Sequence, residues 1–148
     1  PAPTRAAAAE QLGARRVIDP SAEDAASEIL ALTGGLGADV AFECAGARDT
    51  LQQALEMVRR DGQVVVVSLA WESVPVLTVE WVGREVEMKA AYGSHPEDWR
   101  ISLGLMEAGK VRAEPMIDPS SHVPLDGIQE AFEGLLGPDP QVQLLVVP

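Results

Sequence analysis

Hydrophobic and polar positions switch repeatedly between a helical and a strand period, and glycine closes most of the helical stretches. The alanine-rich run Thr4–Leu12 predicts a helix, with Pro3 near its first turn and Gly13 as its C-terminal cap. Arg15–Ile18 reads as a short strand. Ser21 or its neighbour caps a helix running to about Thr33, with Ala22, Ala25, Ala26 and Ile29 on one face. Gly34, Gly35 and Gly37 then make a loop, and Asp39–Glu43 is the second strand. Asp49 with Gln52 resembles a capping box. It opens a helix on which Leu51, Ala54, Leu55 and Val58 recur, and Gly62 follows. The β-branched run Val64–Val67 predicts a central strand buried on both faces.

Ser68–Gly83, with Pro75, Trp71, Leu77 and Trp81, predicts a loop containing a short helical turn. Glu85–Ala91 alternates charged and apolar residues, the pattern of a half-exposed strand at a sheet edge. Pro96 opens a helix with Trp99, Ser102, Leu103 and Met106 on one side, ended by Gly109. Beyond Lys110, Pro115, Pro119, Pro124, Pro138 and Pro140 punctuate the tail. Ile128, Ala131, Phe132 and Leu135 mark one more helix there, and Val142–Val147 is a final strand. This alternation implies an α/β fold with a mostly parallel sheet and right-handed crossovers. Ligands of such sheets bind outside the carboxyl ends of the strands. The positions just after Glu43, Val67 and Ala91 are therefore the first candidates for a site.

Composition narrows the partners. The 148 residues, 47% of them hydrophobic, suffice for about one domain with a real core. A net charge of −12, from 11 basic and 23 acidic residues, argues against nucleic acid or an anionic membrane surface. Cys44 is the only cysteine, so neither an internal disulfide nor a cysteine-based zinc cage is expected. A reducing cytoplasm is the expected location. No apolar run reaches membrane-spanning length. The chain opens Pro-Ala-Pro-Thr and enters a helix at once, so it reads as part of a longer protein.

Four segments carry a family resemblance: EQLGARRVIDP, GADVAFECAG, RRDGQVVVVSLA and EVEMKAAYGS. In this order and spacing they resemble the medium-chain zinc-dependent alcohol dehydrogenases, in the polyol, butanediol and threonine dehydrogenase branch. The tail AEPMIDPSSHVPLDGIQEAFEGLL is similar to that family's C-terminal return segment. The resemblance implies a partial Rossmann-type doubly wound parallel sheet plus a C-terminal tail helix and strand. Residues 1–112 would be a partial dinucleotide-binding domain, and 113–148 the segment returning to a catalytic domain. It also implies that the zinc-bearing catalytic domain and the first strand, glycine-rich turn and second strand of the cofactor fold precede the matched region. Arg15–Ile18 and one edge of Asp39–Glu43 would then lack neighbours. An isolated chain is expected to be marginal, or to fill the gap by pairing or swapping with another chain.

The resemblance also assigns residues. Arg5 matches a basic position that contacts the adenosine ribose; a solvated helix arginine is the alternative. Cys44, Ala45 and Gly46 match the strand end that passes under the cofactor, where small residues permit close backbone approach. Cys44 could equally be core filler, and no histidine is placed near it to make it a nucleophile. Glu43 ends a buried strand and needs a partner, either backbone or a segment outside the chain. Val67, Ser68 and Leu69 match the strand end whose backbone holds the nicotinamide amide, although relatives usually have glycine at Ser68. Ala91 and Tyr92 match a third backbone contact, with Tyr92 alternatively in the core. Gln143 stands where many relatives carry a basic residue reaching the cofactor phosphates.

The remaining polar and aromatic residues have plainer readings. His95 and His122 lack metal-ligand spacing. Glu23, Asp24, Glu97 and Asp98 suit helix N-termini. Trp71, Trp81 and Trp99 are expected as core or interface anchors. The Glu85–Ala91 edge is where relatives join sheets, so a homo-oligomer is expected there.

The resemblance implies the cofactor-binding part of an NAD- or NADP-dependent, zinc-dependent alcohol or polyol dehydrogenase. Such an enzyme moves hydride between a small secondary alcohol and nicotinamide. Zinc would serve the intact protein with no ligands from this chain, which carries no catalytic residue and is expected to be inactive alone. Two other readings stay open. One is a zinc-free quinone oxidoreductase of the same superfamily. The other is a non-catalytic α/β module that binds a nucleotide or a protein, which Ser68 and Gln143 favour.

Overall fold

A computed structural model describes residues 2–117, 119–137 and 141–148. In chain order the elements are α1 (Pro3–Gln11), α2 (Ala25–Leu32), β1 (Ala38–Glu43), α3 (Thr50–Met57), β2 (Val58–Val66), α4 (Thr78–Gly83), β3 (Glu87–Ala90), α5 (Pro96–Glu107), β4 (His122–Pro124), α6 (Ile128–Gly134) and β5 (Leu145–Val147). They fall into two units: Asp19–Gly93, and Pro1–Ile18 with Ser94–Pro148.

In the Asp19–Gly93 unit, β1, β2 and β3 form one parallel sheet in that order, and α3 lies against β1 and β2. The core follows from the helical spacing of α3 meeting the strand alternation. Ala54, Leu55, Val58, Val64 and Val86 are buried, and Ala41, Leu51, Val66, Trp81 and Met88 pack around them. Local chemistry sets the boundaries. Asp24 caps α2 by accepting from the Ser27 amide at 2.7 Å. Thr33 closes it by donating to the Ile29 carbonyl at 2.7 Å while accepting from the Gly37 amide at 2.9 Å. Gly37 has φ +95°, and a Cβ there would lie 2.8 Å from the Arg59 nitrogen, so only glycine fits. The Arg84 guanidinium donates to the carbonyls of Val58, at 2.7 Å, and Leu55, which satisfies the end of α3.

The second unit holds α1, α5 and α6 with a short parallel pair, β4 beside β5. Its tail helix and final strand fall where the sequence places them. β4 was not expected: three residues ending in proline give no period to read. Among the described residues no helix is long and apolar enough to cross a membrane.

Several expectations need correction: the helix read through Val58 ends at Met57, with Val58 opening β2, and the second helix starts at Ala25 behind Asp24 rather than at Ser21. Arg15–Ile18 forms no strand, because no described segment supplies a ladder partner for it. The run at Val64 is central but not fully buried on both faces: Val64 is buried, Val65 and Val66 are half-buried and Val67 is exposed. Val40 and Phe42 of β1, which alternate away from the half-buried Ala41 and the buried Glu43, are 43% and 67% exposed. The Asp49 cap makes no side-chain bond. Gln52 instead donates to Glu56 and accepts from the Leu77 amide, at 2.8 and 2.9 Å. Of the core or interface roles expected for the tryptophans, the core one fails for Trp71 and Trp99, at 93% and 64% exposed, whereas Trp81 is half-buried and donates to the Val86 carbonyl at 2.7 Å.

This packing predicts a contrast between two apolar residues. Leu55 is fully buried, so Leu55→Ala should lower the free energy of unfolding by about 2–5 kcal/mol in urea titrations. Phe42→Ser, on the open face, should change it by less than about 0.5 kcal/mol. Equal losses would mean that the face is covered.

Candidate functional site

In-register pairing sets Glu43 beside Val66 and Val66 beside Ala90. The ladder runs one residue further on each side. The Val67 amide donates to the Glu43 carbonyl at 2.9 Å, and the Ala91 amide donates to the Val66 carbonyl at 3.0 Å. Cys44–Gly46, Val67–Leu69 and Ala91–Tyr92 therefore leave the sheet from one rim, its carboxyl end. Cys44, Ala45, Ala91 and Tyr92 are exposed, and so are the apolar side chains of Val67 and Leu69. Cys44 and Tyr92 are thus not core residues. Gly46 has φ +63°, and a Cβ on it would sit 3.0 Å from the Leu69 carbonyl oxygen. The turn after β1 and the segment after β2 touch because this residue has no side chain.

Glu43 holds the rim together. Only 5% exposed, it finds its partners within the chain. Its Oε1 accepts from the amides of Ala45 and Gly46, both at 2.9 Å, and from the Thr50 hydroxyl at 2.8 Å. Its Oε2 accepts from the Ser68 hydroxyl. Burial pushes the carboxyl up, but the bonds from Ser68, Gly46, Thr50 and Ala45 together outweigh it and hold the group below its ordinary range. Thr50, at the start of α3, was missed as part of this node because nothing in its sequence neighbourhood points to Glu43.

Arg48 was missed as well. It lines a cavity of about 250 Å³ beside the rim with Gly46, Ala70 and Trp71. The other basic residues of this unit are paired: Arg59 with Asp39, Arg60 with Glu85, Arg84 with Glu80 and Lys89 with Glu87. Arg5 and Gln143 belong to the other unit. Arg5 is exposed on α1, and Gln143 lines an apolar cavity of about 250 Å³ with Val123, Phe132 and Leu135. His95 precedes α5, where its amide donates to Asp98 at 2.7 Å, and His122 is exposed in β4. Among the described residues no three His, Cys, Asp or Glu side chains gather as a metal site requires. The described residues therefore do not fit zinc.

The Glu43 node predicts a pH signature. Its carboxyl is lowered in the folded state, so its stabilisation is present above the ordinary carboxylate range and is lost as pH falls through the lowered value. At neutral pH, Glu43→Ala should cost about 1–3 kcal/mol by removing the acceptor of four part-buried donors. In urea titrations at several pH values it should also flatten the acid limb. An acid limb identical to the parent's would assign it to exposed carboxylates such as Asp24, lowered by its bond from the Ser27 amide.

Comparison with known proteins adds the lineage. Residues 1–108 match the family described as zinc-binding dehydrogenase. The (R,R)-butanediol dehydrogenase of Bacillus subtilis is 34% identical over 148 residues, which cover 99% of this chain and 41% of that protein. D-Arabitol-phosphate dehydrogenase of Enterococcus avium is 31% identical over 133 residues, covering 89% of this chain and 37% of that protein. The crystal structure of the 2R,3R-butanediol dehydrogenase from Bacillus subtilis superposes with a TM-score of 0.86 at 33% identity, over 99% of this chain and 41% of that one. The chain thus spans about two fifths of the length of these relatives. With an ordered match over residues 1–108 and the parallel Rossmann-like sheet of its relatives, this chain belongs to the zinc-binding dehydrogenase family.

Proposed function

We propose that the carboxyl rim of the Asp19–Gly93 unit is one wall of a nicotinamide-dinucleotide cleft. The intact protein would then be an NAD- or NADP-dependent alcohol or polyol dehydrogenase. The observation that carries this reading is the common rim of β1, β2 and β3, the place where parallel sheets receive ligands. Three features of the rim suit a flat, anionic cofactor. Cys44, Ala45 and Gly46 leave the backbone approachable. Val67, Leu69 and Tyr92 offer 45%, 60% and 85% exposed apolar surface for a ring to cover. The Glu43 charge is turned inward onto its own donors, so it presents no bare carboxylate to phosphates.

When bound, the nicotinamide supplies hydride transfer. This chain's part is to bind and orient the ring through the backbone of Val67, Ser68, Leu69, Ala91 and Tyr92, and to exclude water from it. The role of Arg5 at the adenosine ribose rests on the resemblance alone. In the same reading, 1–112 serve the cofactor, 113–148 return to a catalytic domain, and the substrate is a small alcohol. Any zinc would be held by ligands elsewhere in the intact protein. A cytoplasmic location and a homo-oligomer joined at the β3 edge complete the proposal. β3 pairs with β2 on one side only among the described residues.

Titration of the chain with NADH, followed through its 3 tryptophans, should give saturable quenching. A constant weaker than about 0.1 mM is expected for one wall of a cleft, near −5.5 kcal/mol. Gly46→Val, which must displace the Leu69 backbone, should weaken it at least tenfold while the circular dichroism is retained. A folded parent chain that does not respond to NADH would sink the proposal.

A further inference from the structure

Ser68 does two things that its place in the chain does not require. Its amide donates to the Glu43 carbonyl at 3.2 Å, next to the bond from Val67. Its hydroxyl turns down from the rim to the Glu43 carboxylate rather than out into solvent. That carboxylate also holds the amides of Ala45 and Gly46 and the hydroxyl of Thr50. Among these donors Ser68 alone comes from the segment after β2. Its side chain ties residues 67–69 to the Glu43 carboxylate, and through it to the turn after β1 and to Thr50 at the start of α3. The contact is tight: a Cβ on Gly46 would meet the Ser68 Cβ at 3.3 Å.

We propose that Ser68 is a positioning residue, acting through Glu43 to hold residues 44–46 and 67–69 at a fixed separation so that the rim is already formed when the nicotinamide ring arrives. The idea rests on the cofactor reading given above. The physical reason is preorganisation. A hydrogen bond to a carboxylate is stronger than a neutral one. A surface ordered before binding does not lose that ordering entropy on binding. Without the hydroxyl, Glu43 loses the partner its Oε2 has among the described residues, and Val67 and Ser68 keep their backbone bonds to the Glu43 carbonyl.

The test compares the parent chain with Ser68→Ala, Ser68→Gly and Ser68→Thr by two readouts: NADH affinity, and amide hydrogen exchange at Ala45 and Gly46. Ser68→Ala and Ser68→Gly should each weaken NADH about tenfold and speed exchange at both amides by a similar factor. Ser68→Thr keeps the hydroxyl and should restore both within about twofold. If Ser68→Gly binds NADH as tightly as the parent, the positioning role is overturned. A lower melting temperature with unchanged NADH affinity marks a purely structural bond and overturns it too. Should exchange respond as expected while the parent itself fails to bind NADH, the latch is real but the cofactor reading, and with it the role assigned here, is wrong.

Discussion

Parallel strands paired in register end together, and in this chain that geometry creates the candidate site. Glu43, Val66 and Ala90 form one row across β1, β2 and β3, and the segments after them leave from the same rim. A parallel sheet needs a crossover between neighbours, so the returning helix has to cover a face. Here α3 does so and packs Leu55 against Val64. That packing fixes the register, because a slip of one residue would turn Val64 outward and Val65 in. The rim is therefore a consequence of the core.

A carboxylate at such a row is costly unless donors meet it. Glu43 is met by the turn that follows it, by Thr50 and by Ser68. Under the proposed cofactor reading, a carboxylate facing outward there would repel an anionic dinucleotide. Turned inward and saturated, the same group becomes the fastener of the rim. From sequence alone, serine at position 68 adds a side chain where the resemblance implies close backbone approach to a ligand. In the structure its side chain points away from the open rim, toward the acid.

Much of the architecture was legible because it rests on local signals. The spacing of Leu51, Ala54 and Leu55, the run Val64–Val67 and the alternation in Glu85–Ala91 each announce an element, and α3, β2 and β3 are found there. The four quoted segments carried the family. What was not legible depends on distant partners. Arg15–Ile18 has strand composition, but a strand exists only in a ladder, and none reaches it among the described residues. The open face of β1 shows the same thing, since nothing in Val40 or Phe42 says which side a helix will cover. Gln52 matched a local cap motif yet bonds to Leu77, 25 positions on. The partners of Glu43 could not be named either, because Ser68 is likewise 25 positions away and meets it only once β1 and β2 are paired.

The most direct test of the shared rim as a cofactor surface is residue-resolved amide chemical-shift mapping of the chain as NADH is added. The account predicts changes gathered at Ala45, Gly46, Ser68, Leu69, Ala91 and Tyr92, saturating together. Changes confined to the apolar cavity near Phe132, or a well-dispersed spectrum that NADH leaves unmoved, would contradict it.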